Sequence, residues 1–210
     1  MTQEELVNKI GSWEERQTFT EDCVNRLGEF LEALGWQIKM IRGIQGLEVT
    51  ENIPELLNQT DRRSVVIQFR AKSDQSILEK LSRFGEVVSE VHDLYGVRIV
   101  LPSFEAVAQI ALQITTAFGE TPTEKEMVLR GGTLSFPAVR NYQKRDWPGV
   151  SPASSSKYQD AIHLNRKVQG RIVEFQIVTL PLFKEYCEPN AGASHIAFKA
   201  RQQALYRPAR

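Results

Sequence analysis

The residues with the clearest potential for chemistry lie on a short alternating segment, Arg171 to Thr179. Successive side chains of a strand point to opposite faces, so Glu174 and Gln176 share one face. The apolar residues of the other face are Val173, Phe175 and Ile177. An aromatic residue and a histidine, Tyr158 and His163, stand on the preceding extended segment. The pattern indicates a sheet face used for chemistry, and the alternative is the solvated polar face of an ordinary hairpin.

A second group of polar residues is basic and surrounds the predicted start of a helix. Arg70 and Lys72 are two residues apart at the end of a predicted strand, and Ser73 occupies an N-cap position. Ser76 and Lys80 are four residues apart, on one side of the helix that follows. Cations and a hydroxyl beside the free amides of a helix N-terminus favour a polyphosphate ligand. The alternative is a solvated basic helix start, and the chain contains no glycine-rich phosphate loop of the P-loop type.

A carboxylate that could act together with Glu174 is Asp93, where a predicted helix gives way to the strand 94–101. An Asp and a Glu from two strands can hold Mg²⁺ through oxygen ligands, while waters and phosphate oxygens complete the octahedron. The alternative is that Asp93 ends a helix and Glu174 is an unrelated surface residue. Arg98, inside the same strand, is a candidate for binding phosphate or for pairing with a carboxylate.

The composition narrows the class of protein. The chain has 210 residues, of which 41% are hydrophobic and 25% are charged, as expected for a soluble globular protein with one sizeable core. The 26 basic residues balance the 26 acidic ones, so net charge argues neither for nor against an anionic ligand. The cysteines and histidines are scattered without the spacing of a zinc site. A signal peptide and a long apolar run are both missing from the sequence, so we expect a cytoplasmic protein without membrane contact.

The elements that must position these residues begin with a helical N-terminal block. An apolar stripe runs from Phe19 to Leu34, and Gly35 fits the end of that helix. Thr18 and Glu21 have the spacing of a capping box. The residues 37–62 show no clear pattern. The N-terminal block is therefore predicted as helical and is otherwise unassigned.

Strands and helices interleave from residue 64 onward. We predict strands at 64–70, 94–101, 133–139 and 171–179, and helices at 73–92, 104–118 and from 182 onward. This order indicates an α/β (α+β) fold rather than a helical bundle or a β-sandwich. We divide the chain into an N-terminal helical region, 1–62, which packs on the core, and a core domain, 63–210.

Taken together, the motifs resemble a known enzyme family. In chain order they read Arg-x-Lys-Ser-x-x-Ser-Ile-x-x-Lys, Asp-Leu-Tyr-Gly-Val-Arg-Ile, Tyr-Gln-x-x-Ile-His, Val-Glu-Phe-Gln-Ile-x-Thr and Ala-Ser-His-x-x-Phe-Lys. This order and spacing, over residues 64–203, is similar to the synthetase domain of the RelA/SpoT family, the alarmone synthetases or GTP pyrophosphokinases. The length resembles that of a small, single-domain synthetase. The resemblance implies a nucleotidyltransferase-like mixed β-sheet flanked by helices.

The resemblance also implies an activity and a set of roles. The activity is transfer of the β,γ-pyrophosphate of ATP to the 3′-hydroxyl of GTP or GDP, with Mg²⁺ as cofactor and AMP as the released product. Asp93 and Glu174 would be the catalytic residues: Asp93 would be the metal ligand, and Glu174 would share the metal or help to deprotonate the attacking hydroxyl. The residues implied to bind ATP are Arg70, Lys72, Ser76, Lys80 and Arg98. Those implied to bind the acceptor nucleotide are Tyr158, by stacking on the base, and His163, Arg145, Lys157 and Gln176.

Three departures from the family pattern lie in the segments implied to bind the acceptor nucleotide. The motif implied to bind ATP, the donor of the pyrophosphate, is complete. Val178 stands where an arginine is usual, Lys157 takes the place of the glycine before Tyr158, and Asp160 replaces a serine or alanine. Two alternatives therefore stay open beside the guanine acceptor: a toxin-type small synthetase that uses an adenine nucleotide or the tRNA 3′ end, and a catalytically inactive nucleotide-binding module. Retention of both carboxylates favours catalysis. A homo-oligomer and an antitoxin partner are further open expectations.

Overall fold

The computed structural model describes residues 2–42, 63–84, 94–123, 139–141 and 161–187. The helices are α1 (Gln3–Ile10), α2 (Trp13–Ala33), α3 (Asp74–Phe84), α4 (Phe104–Ala117) and α5 (Leu180–Cys187). The strands are β1 (Gln37–Arg42), β2 (Ser64–Ala71), β3 (Tyr95–Leu101), β4 (Val139–Asn141), β5 (Ala161–Val168) and β6 (Arg171–Thr179). None of the helices in these ranges is long and apolar enough to cross a bilayer.

Capping boxes begin the first two helices. The hydroxyl of Ser12 accepts a hydrogen bond from the Glu15 amide at 3.1 Å, and the Glu15 carboxylate accepts one from the Ser12 amide at 2.6 Å. Thr2 and Glu5 form the same reciprocal pair at the start of α1. The box predicted at Thr18 is wrong, because Thr18 lies inside α2 with its side chain exposed. Ser12 satisfies the free amides one and a half turns earlier.

The strands form one mixed sheet in the order β1-β2-β3-β6-β5-β4. The pairs β1–β2 and β3–β6 are parallel, and the remaining neighbours are antiparallel. The predicted mixed α/β fold, a mixed sheet flanked by helices, is therefore confirmed. The strands predicted at 64–70, 94–101 and 171–179 are also confirmed. Of the strand predicted at 133–139, residues 133–138 lie outside the described residues.

The strand β1 was not predicted, and it comes from the N-terminal range. It extends the sheet beside β2, and α2 packs against β1, β2 and β3. Elements from both sides of residue 62 therefore contribute to one sheet and one core. The division of the chain into 1–62 and 63–210 stays a prediction.

One face of the sheet is apolar and carries the core. Alternation along the strands places one set of side chains beneath α2 and α4, where they are buried: Val65, Ile67, Phe69, Val97, Ile99, Val173, Phe175 and Ile177. The apolar stripes of α2 and α4 supply the other half of this core. The opposite face of the same strands is consequently the one on which polar side chains are presented.

A buried arginine holds the end of α4 against β5. Nε of Arg166 donates to the carbonyl of Phe118 at 3.0 Å, and Nη2 donates to the carbonyl of Gly119 at 2.7 Å. Nη1 donates to the hydroxyl of Thr121 at 2.6 Å. Gly119 has a φ of +66°, and a Cβ there would lie 2.9 Å from the carbonyl of Lys167. Glycine is therefore required where the chain leaves α4.

Candidate active site

A row of polar residues crosses the face of the sheet opposite the core. The strand registers place Gln68 opposite Arg98, Arg98 opposite Gln176, and Gln176 opposite His163. Residues paired across neighbouring strands point to the same face, so these four side chains lie side by side. The register between β5 and β6 is fixed by their two-residue turn, in which Gln169 and Gly170 both have positive φ.

Hydrogen bonds link this row to Glu174. Nη2 and Nε of Arg98 donate to Oε1 of Gln176 at 3.0 and 3.3 Å. Nε2 of Gln176 donates to Oε2 of Glu174 at 3.0 Å. Nδ1 of His163 lies 3.6 Å from Oε1 of Glu174, within ion-pair range when the imidazole is protonated. We call Arg98, Gln176, Glu174 and His163 the polar network.

The carboxylate at the centre of this network is partly accessible. The side chain of Glu174 is 24% exposed, and that of His163 is 11% exposed. A carboxylate near the rim of a low-dielectric surface interacts strongly with nearby cations and stays within reach of a ligand. The sequence prediction that Glu174 and Gln176 share a face, away from the core side chains of β6, is confirmed.

A residue without a side chain separates Glu174 from Arg70 on this face of the sheet. Gly96 lies between Arg70 on β2 and Glu174 on β6 in the cross-strand register. Among the described residues, a Cβ at Gly96 would meet one heavy atom within 4 Å, the Arg70 carbonyl oxygen at 3.8 Å. No side chain of the described residues therefore fills the space above Gly96, which lies between Arg70 and Glu174 in the register. On the far side of Glu174, Asn165 is its buried cross-strand neighbour.

Helix α5 limits this face at one end. Val66, Val100 and Val178 occupy one cross-strand row and are buried, and α5 contacts both β3 and β6. The ring centroid of Phe183, on α5, lies 5.8 Å from Cζ of Arg98. Val178, the residue that replaces a family arginine, thus belongs to an apolar row. None of the hydrogen bonds given above for the polar network involves this position.

The predicted phosphate-binding residues follow β2 into α3. Ser73 caps α3, because its hydroxyl accepts from the Ser76 amide at 3.4 Å and its carbonyl accepts from the Ile77 amide at 3.0 Å. Arg70 is exposed and Lys72 is partly exposed. Lys80 lies on α3, but its side chain is outside the described part of the structure. The predicted cap and the adjoining cations are thus brought to the same end of the sheet as Gly96.

Several predicted site residues lie outside the described residues: Asp93, Arg145, Lys157 and Tyr158. Their roles stay predictions. Leu94, which follows Asp93 in the sequence, is described, and its carbonyl accepts a hydrogen bond from the Lys72 amide at 2.8 Å. Within the described ranges, no three Asp, Glu, His or Cys side chains gather as a metal cluster.

Sequence reasoning missed some residues that shape the site. Gly96 and Asn165 are visible only from the strand register, which one sequence does not give. Arg16 and Gln17 of α2 are buried and contact the segment between β2 and α3. A signal for Arg16 exists, since it precedes Phe19 and Cys23 at helical spacing on the buried stripe.

Comparison with known proteins agrees with the motifs. The family model that describes a region found in RelA and SpoT proteins matches residues 69–203, more than half of the chain. The chain belongs to the RelA/SpoT family. The matched region of this RelA/SpoT protein runs from Phe69 through the polar network and beyond α5, whereas α1, α2 and β1 precede it.

Two solved structures that match the chain are both of the small alarmone synthetase 1 from Bacillus subtilis. The structure bound to its product pppGpp has 16% identity and a TM-score of 0.39, covering 77% of this chain and 74% of that chain. The structure bound to AMPCPP has 14% identity and a TM-score of 0.36, covering 76% of this chain and 70% of that chain. No curated protein matches the chain significantly.

Proposed function

We propose that this RelA/SpoT protein transfers the β,γ-pyrophosphate of ATP to the 3′-hydroxyl of GTP or GDP and so makes the alarmone (p)ppGpp. The observation that carries the proposal is the polar network, in which Glu174 is hydrogen-bonded by Gln176 beside Gly96, where a Cβ would meet no side chain of the described residues within 4 Å. Arg70 lies on the opposite side of Gly96 in the register. A carboxylate that faces a cation across a glycine suits a polyphosphate that reacts with a hydroxyl.

The proposed reaction balances as a displacement at the β-phosphorus of ATP. The 3′-oxygen of the acceptor forms a bond to this phosphorus, and the bond from the phosphorus to the oxygen bridging the α- and β-phosphates breaks. AMP leaves with that bridging oxygen. The proton of the 3′-hydroxyl passes to the carboxylate of Glu174 and then to solvent. Such transfers need mainly positioning and neutralisation of charge, which the chain's cations supply.

The donor is assigned to the basic side of the site. Arg70 and Lys72 precede Ser73, the N-cap of α3. The free amides and the helix dipole at this N-terminus also favour phosphate. Arg98 would act partly through Gln176, since both its Nε and its Nη2 donate to the same amide oxygen. Ser76 and Lys80 follow on the first turns of α3 and complete the proposed ATP contacts.

The described residues supply one ligand suited to a divalent cation. Glu174 offers a partly exposed carboxylate, and oxygen ligands are those Mg²⁺ prefers. We propose that Glu174 and Asp93 hold Mg²⁺, which would neutralise charge on the polyphosphate. Gln176 holds the Glu174 carboxylate through one oxygen and so keeps it in a fixed orientation.

The acceptor is assigned to the β5 side of the site. His163 lies beside Glu174, and its position on β5 suits contact with the phosphates of the nucleotide that carries the attacking hydroxyl. Tyr158, Arg145 and Lys157 complete the proposed acceptor set. We place a guanine nucleotide first among the acceptors, and an adenine nucleotide and tRNA are the alternatives that the assay below separates.

A label-transfer assay tests the proposal and separates the acceptors. Purified protein is incubated with Mg²⁺ and γ-³²P-ATP, and GTP, GDP, ATP or deacylated tRNA is offered separately. We expect label on GTP or GDP and AMP as the other product. Label only on an adenine nucleotide or on tRNA would show that this molecule is the acceptor in place of GTP or GDP, and pyrophosphate transfer would stand. Binding of ATP without transfer to any acceptor would replace the proposed enzyme with a nucleotide-binding module.

A further inference from the structure

The connection from the last residue of β2 to the first residue of α3, residues 71–74, is held by side chains from the N-terminal helices. We call these four residues the donor segment, because Lys72 and the cap residue Ser73 belong to it. The amide of Ala71 donates to Oε1 of Gln17 at 2.9 Å. The carbonyl of Lys72 accepts from Nη2 of Arg16 at 3.2 Å. The main chain on both sides of Lys72 is thereby tied to α2.

The contact made by Arg16 is buried and charged. Its side chain is fully buried, and it forms an ion pair with Asp74, the last residue of the donor segment. Nη1 of Arg16 also donates to the carbonyl of Gly11 at 2.5 Å, which fixes the guanidinium against the start of α2. An arginine can satisfy these acceptors together because its planar guanidinium carries donors in a rigid fork.

The ion pair has an electrostatic consequence for a phosphate ligand. Asp74 is the first residue of α3, close to where an anion bound at that N-terminus would lie. An unpaired carboxylate there would repel a polyphosphate, whereas its pairing with Arg16 neutralises the charge. Nε2 of Gln3, on α1, donates to the other oxygen of Asp74 at 3.2 Å. Both N-terminal helices therefore contact the donor segment.

We propose that Arg16 and Gln17 are positioning residues for the donor site, which set the affinity for ATP by fixing the main chain around Lys72. Both precede the region matched by the family model. The inference rests on the proposed function, because it assigns the donor segment to the phosphates of ATP. It gives α2 a role in substrate binding in addition to its role in the core.

The test is a steady-state comparison of two conservative variants with wild type. Arg16→Lys keeps the positive charge but replaces the fork with a single ammonium, and Gln17→Met keeps the volume but removes the acceptor of the Ala71 amide. Thr20→Val is the matched control, because Thr20 is buried one turn away on α2 and its hydroxyl bonds to the Arg16 carbonyl. KM for ATP, KM for the acceptor and kcat are measured, together with direct ATP binding by calorimetry.

We expect each of the two variants to raise KM and Kd for ATP by about tenfold, with KM for the acceptor within about twofold of wild type. Thr20→Val should leave both KM values unchanged. A purely structural role would lower the active fraction and kcat without changing KM for ATP, and that result would overturn the inference while the proposed function stands. If wild type itself neither binds ATP nor transfers pyrophosphate, the proposed function fails, and the inference fails with it.

Discussion

Gln176 donates a hydrogen bond of 3.0 Å to the carboxylate of Glu174, two residues earlier on the same strand. Side chains at such positions point to the same face but are about 7 Å apart at their Cα atoms. Because Arg98 donates to the amide oxygen of Gln176, the amide nitrogen is directed towards Glu174. The carboxylate is therefore held in place by the strand that carries it, before any substrate binds.

The first prediction concerns the carboxylate itself. Glu174→Gln should lower kcat for pyrophosphate transfer by about a thousandfold, because the amide neither takes the hydroxyl proton nor holds a cation well. Folding should be retained, since the two side chains have the same shape. AMP release and thermal unfolding are measured on the same preparation. Glu29→Gln, an exposed change of the same kind on α2, is the control and should match wild type.

The second prediction concerns the link between Arg98 and Glu174. Gln176→Met and Arg98→Met should each lower kcat about tenfold or more, because each breaks the same line of hydrogen bonds. Since residues in one network are not additive, the double variant should resemble the more severe single variant. Wild type, the two single variants and the double variant are compared by their kcat at saturating concentrations of both substrates. Multiplication of the two effects in the double variant would show that the residues act separately.

The third prediction concerns stability away from the site. Arg166→Met should lower the free energy of unfolding by about 3 kcal/mol, because the buried carbonyls of Phe118 and Gly119 lose their donor. Burial also lowers the pKa of the Arg166 guanidinium from its ordinary value, which agrees with a desolvated cation. Urea denaturation measures the change. Arg26→Met, at an exposed position, should stay within about 0.5 kcal/mol of wild type.

The fourth prediction concerns Cys23, which is buried in α2. Burial raises the pKa of its thiol from 9.0 to about 12, while nearby Arg26 acts in the opposite direction. The thiolate is the reactive form, so Cys23 should resist a disulfide reagent at pH 8 in the folded protein. The assay uses Cys187→Ser protein, in which Cys23 is the remaining cysteine. Rapid reaction without denaturant would contradict the burial of this thiol.

The raised pKa of Cys23 makes the free energy of unfolding depend on pH. The folded state favours the neutral thiol. The contribution of Cys23 to the free energy of unfolding is therefore fully present below pH 9.0, the ordinary pKa of a thiol. It is lost as the pH rises from there towards about 12, because the unfolded thiol ionises first. Replacement of Cys23 by alanine should therefore flatten this part of the stability profile in urea titrations.

The sequence was sufficient for the elements whose patterns are local. The alternation in β6 and the stripe of α4 with its Ser103 cap and Gly119 end predict their own boundaries, because one buried face dictates each period. The fold class follows from their order along the chain. The side of β6 on which Glu174 lies also follows, since a strand has only two faces.

The sequence was insufficient where long-range pairing decides. The strand β1 has a short, mixed pattern, and its place beside β2 depends on parallel pairing with a distant segment. The position of Gly96 between Arg70 and Glu174 depends on the registers of three strands. The capping error at Thr18 arose because Ser12 and Thr18 both precede a Glu at the right spacing, and only packing of α2 distinguishes them.

The most direct test of pyrophosphate transfer is the stoichiometry of the reaction. Wild-type protein with Mg²⁺, ATP and GTP is sampled over time, and AMP, ADP and guanine nucleotides are separated by anion-exchange chromatography. Pyrophosphate transfer should give AMP and a 3′-pyrophosphorylated guanine nucleotide in a one-to-one ratio, with neither formed when 3′-deoxy-GTP is the acceptor and both formed about a thousandfold more slowly by Glu174→Gln protein. Formation of ADP in place of AMP, or AMP release that is independent of any acceptor, would contradict pyrophosphate transfer at the polar network.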